Sequence, residues 1–258
     1  MNNRTDLSDN DNSAKRTTNY ESMTIATWNV EGIGPKLEEL MIELEKQKID
    51  ITVVTETKKK GQGTIEIGES IFIYSGVEKD QRAQSGVGII VKKSLKKQII
   101  SYSYINDRII ILQMKTGRSN CWIIGIYAPV EGEQEKTEKF YKTLQQCVNK
   151  TGKNDYVIIA GDANARVGKT PIPNLIGPNG EDTINRNGKH LRDWCSFNNM
   201  RITNTFFRHK EIHKFTWEAR GTKSIIDYIM ANEKMWPNII DTRAYRGAEI
   251  DSDHYLVK

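Results

Sequence analysis

Carboxylates, amides and one histidine close off the apolar, β-prone runs of this sequence. Asn29 and Glu31 end the run Met23–Val30, and Glu56 follows Asp50–Val54. Tyr127 ends Cys121–Tyr127, and Asp162 and Asn164 follow Tyr156–Ala160. Asp227 lies inside Ser224-Ile-Ile-Asp-Tyr-Ile229, and Asp253 and His254 are neighbours. Strand ends are where a scaffold aims side chains into one cleft. Taken singly, each of these residues also fits a solvated strand end or an ordinary Gly-Asp-Asn turn. Asp227 is the exception, because a carboxylate among isoleucines needs a partner to offset its burial. Together they describe one polar cleft of proton-exchanging and charge-holding groups.

The elements that must position them follow from periodicity. Leu37, Leu40, Met41 and Leu44 recur at i, i+3, i+4 and i+7, which predicts an amphipathic helix after Gly34-Pro35. Strands are predicted at Ile71–Tyr74, Gly86–Val91, Gln98–Tyr104, Arg108–Met114 and Cys121–Tyr127, with no helix between them. Helices are predicted over Glu133–Asn149 and Lys189–Asn198, separated by strand Tyr156–Ala160 and a long Gly- and Pro-rich loop, Arg166–Asn187. Short strands are expected around Arg201–Asn204, Phe215–Trp217, Ile225–Met230, Ile239–Tyr245 and His254–Val257. Trp28, Trp217 and Tyr245 read as core residues. Mostly consecutive strands favour antiparallel pairing, and two packed sheets with outer helices satisfy the pattern.

Composition bounds the function. The chain has 258 residues, 37% of them hydrophobic and 28% charged, a polar but globular balance. Residues 1–22 read as a flexible polar leader and 23–258 as one domain. No apolar run reaches the ~20 residues of a membrane-spanning helix, so no membrane partner is expected. Three scattered cysteines, with no CxxC pair, argue against a disulfide scaffold or a zinc–cysteine site and for a reduced compartment, nucleus or cytoplasm. The net charge is +5.

The ordered segments Thr27-Trp-Asn-Val-Glu-Gly32, Thr55-Glu-Thr57, Ile126-Tyr-Ala-Pro129, Ala160-Gly-Asp-Ala-Asn164, Ile226-Asp-Tyr228 and Ser252-Asp-His254 resemble the successive motifs of the endonuclease/exonuclease/phosphatase superfamily. The segment Phe215–Met230 is most similar to the apurinic-type endonuclease domains of LINE-type (non-LTR) retrotransposons and to the related craniofacial-development-protein-2-like sequences. The resemblance covers Met23–Lys258. It implies a DNase I-like four-layer α/β sandwich, with two packed, mostly antiparallel sheets flanked by helices. It implies a Mg²⁺ cofactor, with Mn²⁺ as a substitute and no small-molecule cofactor. Glu56, Asn29 and Glu31 would hold the ion, with Asp253 completing the acidic cluster. Asp227 would orient His254 and hold its charge. Asp162 would align or deprotonate the attacking water, and either Asp162 or His254 would be the general base. Asn164 and Tyr127 would contact the phosphate. The expected reaction is DNA nicking that leaves 3′-hydroxyl and 5′-phosphate ends.

Removing the five acids Glu31, Glu56, Asp162, Asp227 and Asp253 from a chain of net +5 leaves the remainder at +10. A basic surface around the site is therefore expected, and DNA is the expected partner. Lys58, Lys59 and Lys60, and Arg220 and Lys223, adjoin site residues in sequence. Further basic residues lie at Lys92–Lys97 and Arg208–Lys214. Ile225 and Ile226 fill the region where abasic-site repair enzymes carry an Arg, so strong abasic-site specificity is not expected. The ending just past His254 suggests a piece of a longer polyprotein with a reverse transcriptase, or a host gene derived from one. Two rival expectations stand beside this one. One is a phosphodiesterase or phosphatase of the same fold acting on a small phosphorylated or lipid substrate. The other is a non-catalytic nucleic-acid-binding protein.

Overall fold

A computed structural model describes residues 22–117 and 119–258; the leader expectation lies outside the described residues apart from Ser22. In chain order the elements are β1 (Ile25–Asn29), α1 (Leu37–Lys46), β2 (Ile51–Thr55), β3 (Gln62–Ile67), β4 (Ser70–Ser75), β5 (Val87–Lys92), β6 (Ile99–Asn106), β7 (Ile109–Thr116) and β8 (Ser119–Tyr127). Then follow α2 (Gln134–Val148), β9 (Tyr156–Asp162), α3 (Arg186–Phe197), β10 (Met200–Ile202), β11 (Trp217–Ala219), β12 (Thr222–Ser224), β13 (Asp227–Asn232), β14 (Ala244–Tyr245) and β15 (Leu256–Val257).

Two sheets form. One has the order β14-β15-β1-β2-β5-β4-β3, the other β10-β13-β9-β8-β7-β6. Pairing is antiparallel except for β1 with β2 and β8 with β9, each joined through a helix as parallel neighbours require. The run Ile109-Ile-Ile-Leu112 shows why the sheets stack. Alternate residues of a strand point to opposite faces. Ile110 and Leu112 pack between the sheets with Val53, Ile89 and Ile123, while Ile109 and Ile111 pack outward beneath Phe140, Leu144, Leu191 and Trp194 of α2 and α3. Leu40 and Leu44 of α1 cover the outer face of the other sheet, over Ala26, Trp28 and Phe72. The result is the expected four-layer sandwich.

Several short strands differ from their expected positions. β3 is missing from the sequence reading because it is a polar edge strand, mostly exposed. Only Ala244–Tyr245 of the expected Ile239–Tyr245 strand pairs; Ile240 is 80% exposed and has no sheet to enter. The strand expected at Arg201–Asn204 stops at Ile202 and turns, and α3 starts at Arg186, three residues early, where the Asn185 side chain accepts the Gly188 N–H. Around Phe215–Trp217 the chain makes a hairpin, β11-β12, closed by Arg220 and Gly221. Both have positive φ (50° and 76°), as a two-residue hairpin turn that follows strand twist requires. Trp28 is fully buried, and Trp217 and Tyr245 are half-buried.

Candidate active site

The site sits where the core between the sheets runs out. On β9, Ile158 and Ala160 face the other sheet, and two residues on the same stripe ends in Asp162. Tyr127 of β8 and Asp227 of β13 are its register partners on either side. Tyr127, Asp162 and Asp227 therefore share one row on three adjacent strands, facing inward. From the opposing sheet, Asn29 lies on the inward stripe of β1, and its amide donates to Asp162 Oδ2 (3.0 Å) and Glu56 Oε2 (3.3 Å). The Tyr127 hydroxyl donates to the same Glu56 oxygen (3.1 Å). Alternation that fills the core with Ile and Val thus delivers polar groups at the strand ends.

The chain leaves these strands by strained steps. Glu31, Glu56 and Asn164 all have positive φ (48°, 52° and 46°). Each such non-glycine residue costs about 1–3 kcal/mol, and such strain clusters at functional sites. Asn164 donates its backbone N–H to Asp162 Oδ1 (2.8 Å) and its amide to the Ala128 carbonyl (2.9 Å).

The second half of the site is an ion pair. His254 Nδ1 lies 2.9 Å from Asp227 Oδ2, and both side chains are buried. Burial alone would lower the His254 imidazole. The charge and hydrogen bond of Asp227, with Asp162 and Asp253 behind them, outweigh burial and push it up to about 10. Burial, then the charge of Asp227, push the Asp162 carboxyl up to about 7, against the pull of His254 and of hydrogen bonds from Asn164 and Asn29. Burial and the nearby charges of Glu56 and Asp162 hold Tyr127 as a neutral phenol, well above its usual range. Burial likewise raises Asp253, whose Oδ1 is 3.6 Å from His254 Nε2.

A match to the family model of the endonuclease/exonuclease/phosphatase family runs over residues 26–254. The chain belongs to this family. Craniofacial development protein 2 of Bos taurus is 32% identical over 241 residues, covering 92% of this chain and 40% of that protein. The Tragulus javanicus protein of the same name is also 32% identical, over 92% of this chain and 42% of its own length. The chain thus spans about two-fifths of these relatives. Among solved structures, the endonuclease domain of a telomere-specific non-LTR retrotransposon superposes with a TM-score of 0.67, at 18% identity over 91% of this chain and 95% of that one. An AP endonuclease from Archaeoglobus fulgidus scores 0.66, at 19% identity over 91% and 97%. A Neisseria 3′ phosphatase bound to a product DNA hairpin also scores 0.66, at 18% identity over 92% and 98%. These structures show that the fold is the DNase I-like one. Family and neighbours alike are nucleases and phosphatases.

Within this family fold, the residues expected to hold a metal do not form the tightest group. Among the described residues, the acidic and imidazole side chains that converge within 4.8 Å are Asp162, Asp227 and His254. A protonated imidazole has no lone pair to give, so this trio reads as a charge network and not as a metal cage. Glu56 fits a cation better. Its Oε1 already carries a positive charge, the Lys58 ammonium at 2.9 Å, which also donates to the Glu31 carbonyl (3.2 Å). Two of the expected ligands also make contacts within the protein. Asn29 turns its amide hydrogens to Glu56 and Asp162, while its oxygen accepts the Glu31 N–H (3.1 Å), so it bridges two acids. Glu31 Oε2 accepts the Asp253 N–H (3.1 Å), so Glu31 and Asp253 stand together beside His254.

The basic residues separate too. Lys59 stacks on the Tyr74 ring (4.5 Å), and Lys60 donates to the Lys79 carbonyl (2.9 Å). Lys223 lies 3.5 Å from Glu218, and Arg220 is exposed at the hairpin tip. That hairpin is fixed to the site: Trp217 bridges to His254, and the Glu218 N–H donates to the Asp253 carbonyl.

Residues without a catalytic signature complete the site. Thr216 Oγ1 accepts the Asp227 N–H, and the Asn204 amide donates to the Asp227 carbonyl. Ser252 Oγ donates to the Asn29 carbonyl and accepts the His254 N–H. Asn187 donates to the carbonyls of Pro129 and Asn164. Thr, Ser and Asn are common in loops. Thr216 and Ser252 lay in stretches that the sequence singled out, Phe215–Met230 and Ser252–His254, but neither was marked there for a role of its own.

Proposed function

We propose that this protein is a Mg²⁺-dependent DNA endonuclease that nicks one strand to leave 3′-hydroxyl and 5′-phosphate ends. The observation that carries the reading is the row Tyr127–Asp162–Asp227 facing Asn29 and Glu56, with His254 held as a cation at its edge. Glu56, with Glu31 and Asp253 nearby, supplies hard oxygen donors of the kind Mg²⁺ takes, one or two carboxylates with water and phosphate completing the shell. When bound, such an ion offsets charge on the phosphate and on the leaving oxygen.

The chain's own residues do the rest. Asp162, titrating near neutrality, takes the proton of the attacking water. Its orientation is set by Asn29 and the Asn164 N–H. His254 keeps its proton and directs Nε2–H toward the phosphate, with Asp227 fixing the ring. Neutral Tyr127 and the second amide hydrogen of Asn164 donate to phosphate oxygens. Lys58 and Arg220 follow the DNA backbone, with Lys59, Lys60 and Lys223 adding charge. The non-LTR endonuclease neighbour and the Phe215–Met230 segment support a place as the target-nicking domain of a LINE-type element, or of a host protein derived from one.

Nicking of supercoiled plasmid by the purified protein, with Mg²⁺ or with EDTA, tests this beside Glu56→Ala. Mg²⁺-dependent open circles that the variant fails to make support it. No nicking by a folded, DNA-binding wild type overturns it. The 3′ phosphatase neighbour favours one rival of the same fold, and release of phosphate from a 3′-phosphorylated oligonucleotide, without nicking, would establish it.

A further inference from the structure

The two sheets leave open edges on the same side of the sandwich, β10 in one and β14 in the other. The segment after β10 closes that seam. β10 runs antiparallel to β13, so this segment emerges at the end of the sheet where β13 begins with Asp227, the rim that carries the site. A cleft of about 160 Å³ opens here, lined by Asn204, Arg208, His209, His213, Lys214 and Arg243 among others.

Five basic side chains line it against one lining acid, Glu211. Asp241, just outside, is shared: it lies 2.7 Å from His209 Nε2 and 3.6 Å from Arg243 Nε. Arg243 Nε is buried and makes no hydrogen bond. Arg208 and Lys214 make no ion pair among the described residues. Arg208 and Lys214 are thus left without a counter-charge in a concavity where His209 and Arg243 share one carboxylate and His213 Nδ1 meets the Ala244 carbonyl, and this excess of positive charge suits an anion with several acceptor oxygens. The cleft is also tied to the catalytic strand twice. Asn204, in its wall, donates to the Asp227 carbonyl, and Lys214 runs through Phe215 into Thr216, which accepts the Asp227 N–H.

We infer that this cleft binds one backbone phosphate of the nucleic acid, on the stretch that leaves the active site past His254; the inference rests on the nuclease reading above. Its place on the site's rim favours DNA over a free anion. Neighbouring strands are ~5 Å apart, so the cleft lies on the order of 10 Å from Asp227, within reach of a duplex held at the site.

The test is equilibrium binding of the full chain to a fluorescent DNA duplex in EDTA across salt concentrations, comparing wild type with Arg208→Ala/Lys214→Ala. Losing one phosphate contact lowers the slope of log K against log salt by about 0.9. The expected result is a slope reduced by about one, with kcat for nicking at saturating DNA unchanged. Circular dichroism and thermal melting check that the variant folds, and Lys214→Arg should keep the wild-type slope. Lys139→Ala/Lys142→Ala on α2 serves as the control. An unchanged slope in the cleft variant, or an equal drop in the control, overturns the inference. Loss of inorganic phosphate or phosphopeptide binding with the DNA slope intact also overturns it. Failure of the nuclease reading looks different: wild type binds DNA with the cleft-dependent slope but nicks nothing.

Discussion

His254 Nδ1 lies 2.9 Å from Asp227 Oδ2, while Asp227 Oδ1, fully buried, has no hydrogen-bond partner. The carboxylate is thus committed to one partner, and its charge sets the charge of the imidazole. Asp227→Asn keeps the shape and removes the charge. Burial then opposes only the charges of Asp162 and Asp253, and the His254 pKa should fall well below about 10. NMR titration of the His254 ring reads this directly. Nicking at neutral pH should fall by on the order of 10²–10⁴, the range for a misprotonated acid–base group. A His254 pKa still near 10 in the variant would remove Asp227 from this role.

Activity should follow a bell-shaped pH profile. Asp162 must be ionised to accept a proton, so kcat/KM should rise as pH passes about 7. His254 must be protonated to meet the phosphate, so the rate should fall as pH passes about 10. Bound Mg²⁺ moves the acid limb lower. Stability of the metal-free protein has the opposite dependence in the acid range. Both groups have folded values above their ordinary 3.8 and 6.5, so each stabilises most when protonated. The Asp162 contribution is full below pH 3.8 and lost as pH rises through about 7. The His254 contribution is full below 6.5 and lost through about 10. Urea titrations of wild type and Asp162→Asn across this window should differ in slope between pH 4 and 7. Parallel curves would sink the assignment.

Gly161 sets the spacing of β8 and β9 at the site. Its φ is 150°, and a Cβ there would lie 1.8 Å from the Ile126 carbonyl oxygen, a backbone atom with no freedom to swing away. Gly161→Ala should destabilise the fold by about 1–3 kcal/mol or more and displace Asp162 from Tyr127. Gly34→Ala, where a Cβ meets nothing within 4 Å, should be close to neutral. Urea midpoints for the two variants check this; equal midpoints would mean that the β8–β9 approach is not set by this glycine.

Much of the site was legible because it continues the core pattern. The alternation through Ile158 and Ala160 predicts which way Asp162 points, and β-branched runs mark β1, β2 and β8 just as clearly. What the sequence hid depends on partners distant in the chain. Nothing local shows that the Asn29 amide also bridges Glu56 and Asp162. Nor does anything local show that the Lys58 ammonium also sits 2.9 Å from the Glu56 carboxylate. Thr216, Asn204 and Ser252 act through backbone groups of Asp227, His254 and Asn29, and even for Ser252, inside a quoted motif, no local pattern announces these contacts.

Arg220 and the hairpin that carries it should govern affinity but not chemistry. The tip is exposed, while the base is tied down by Trp217 at His254 and by Glu218, which accepts from Arg246 at 2.5 Å and from the Tyr255 hydroxyl at 3.3 Å. A rigid base with a free cation at its tip suits contact with DNA beyond the scissile phosphate. Arg220→Ala should weaken DNA binding and reduce the salt slope by about 0.9, one phosphate contact, with kcat retained. Glu218→Ala should act differently. It frees the hairpin beside Asp253 and His254, so kcat should fall along with affinity. Anisotropy at several salt concentrations, with single-turnover nicking at saturating DNA, separates the two. Equal kcat losses in both variants would mean that the hairpin tip reaches the chemistry, contrary to the geometry that anchors it.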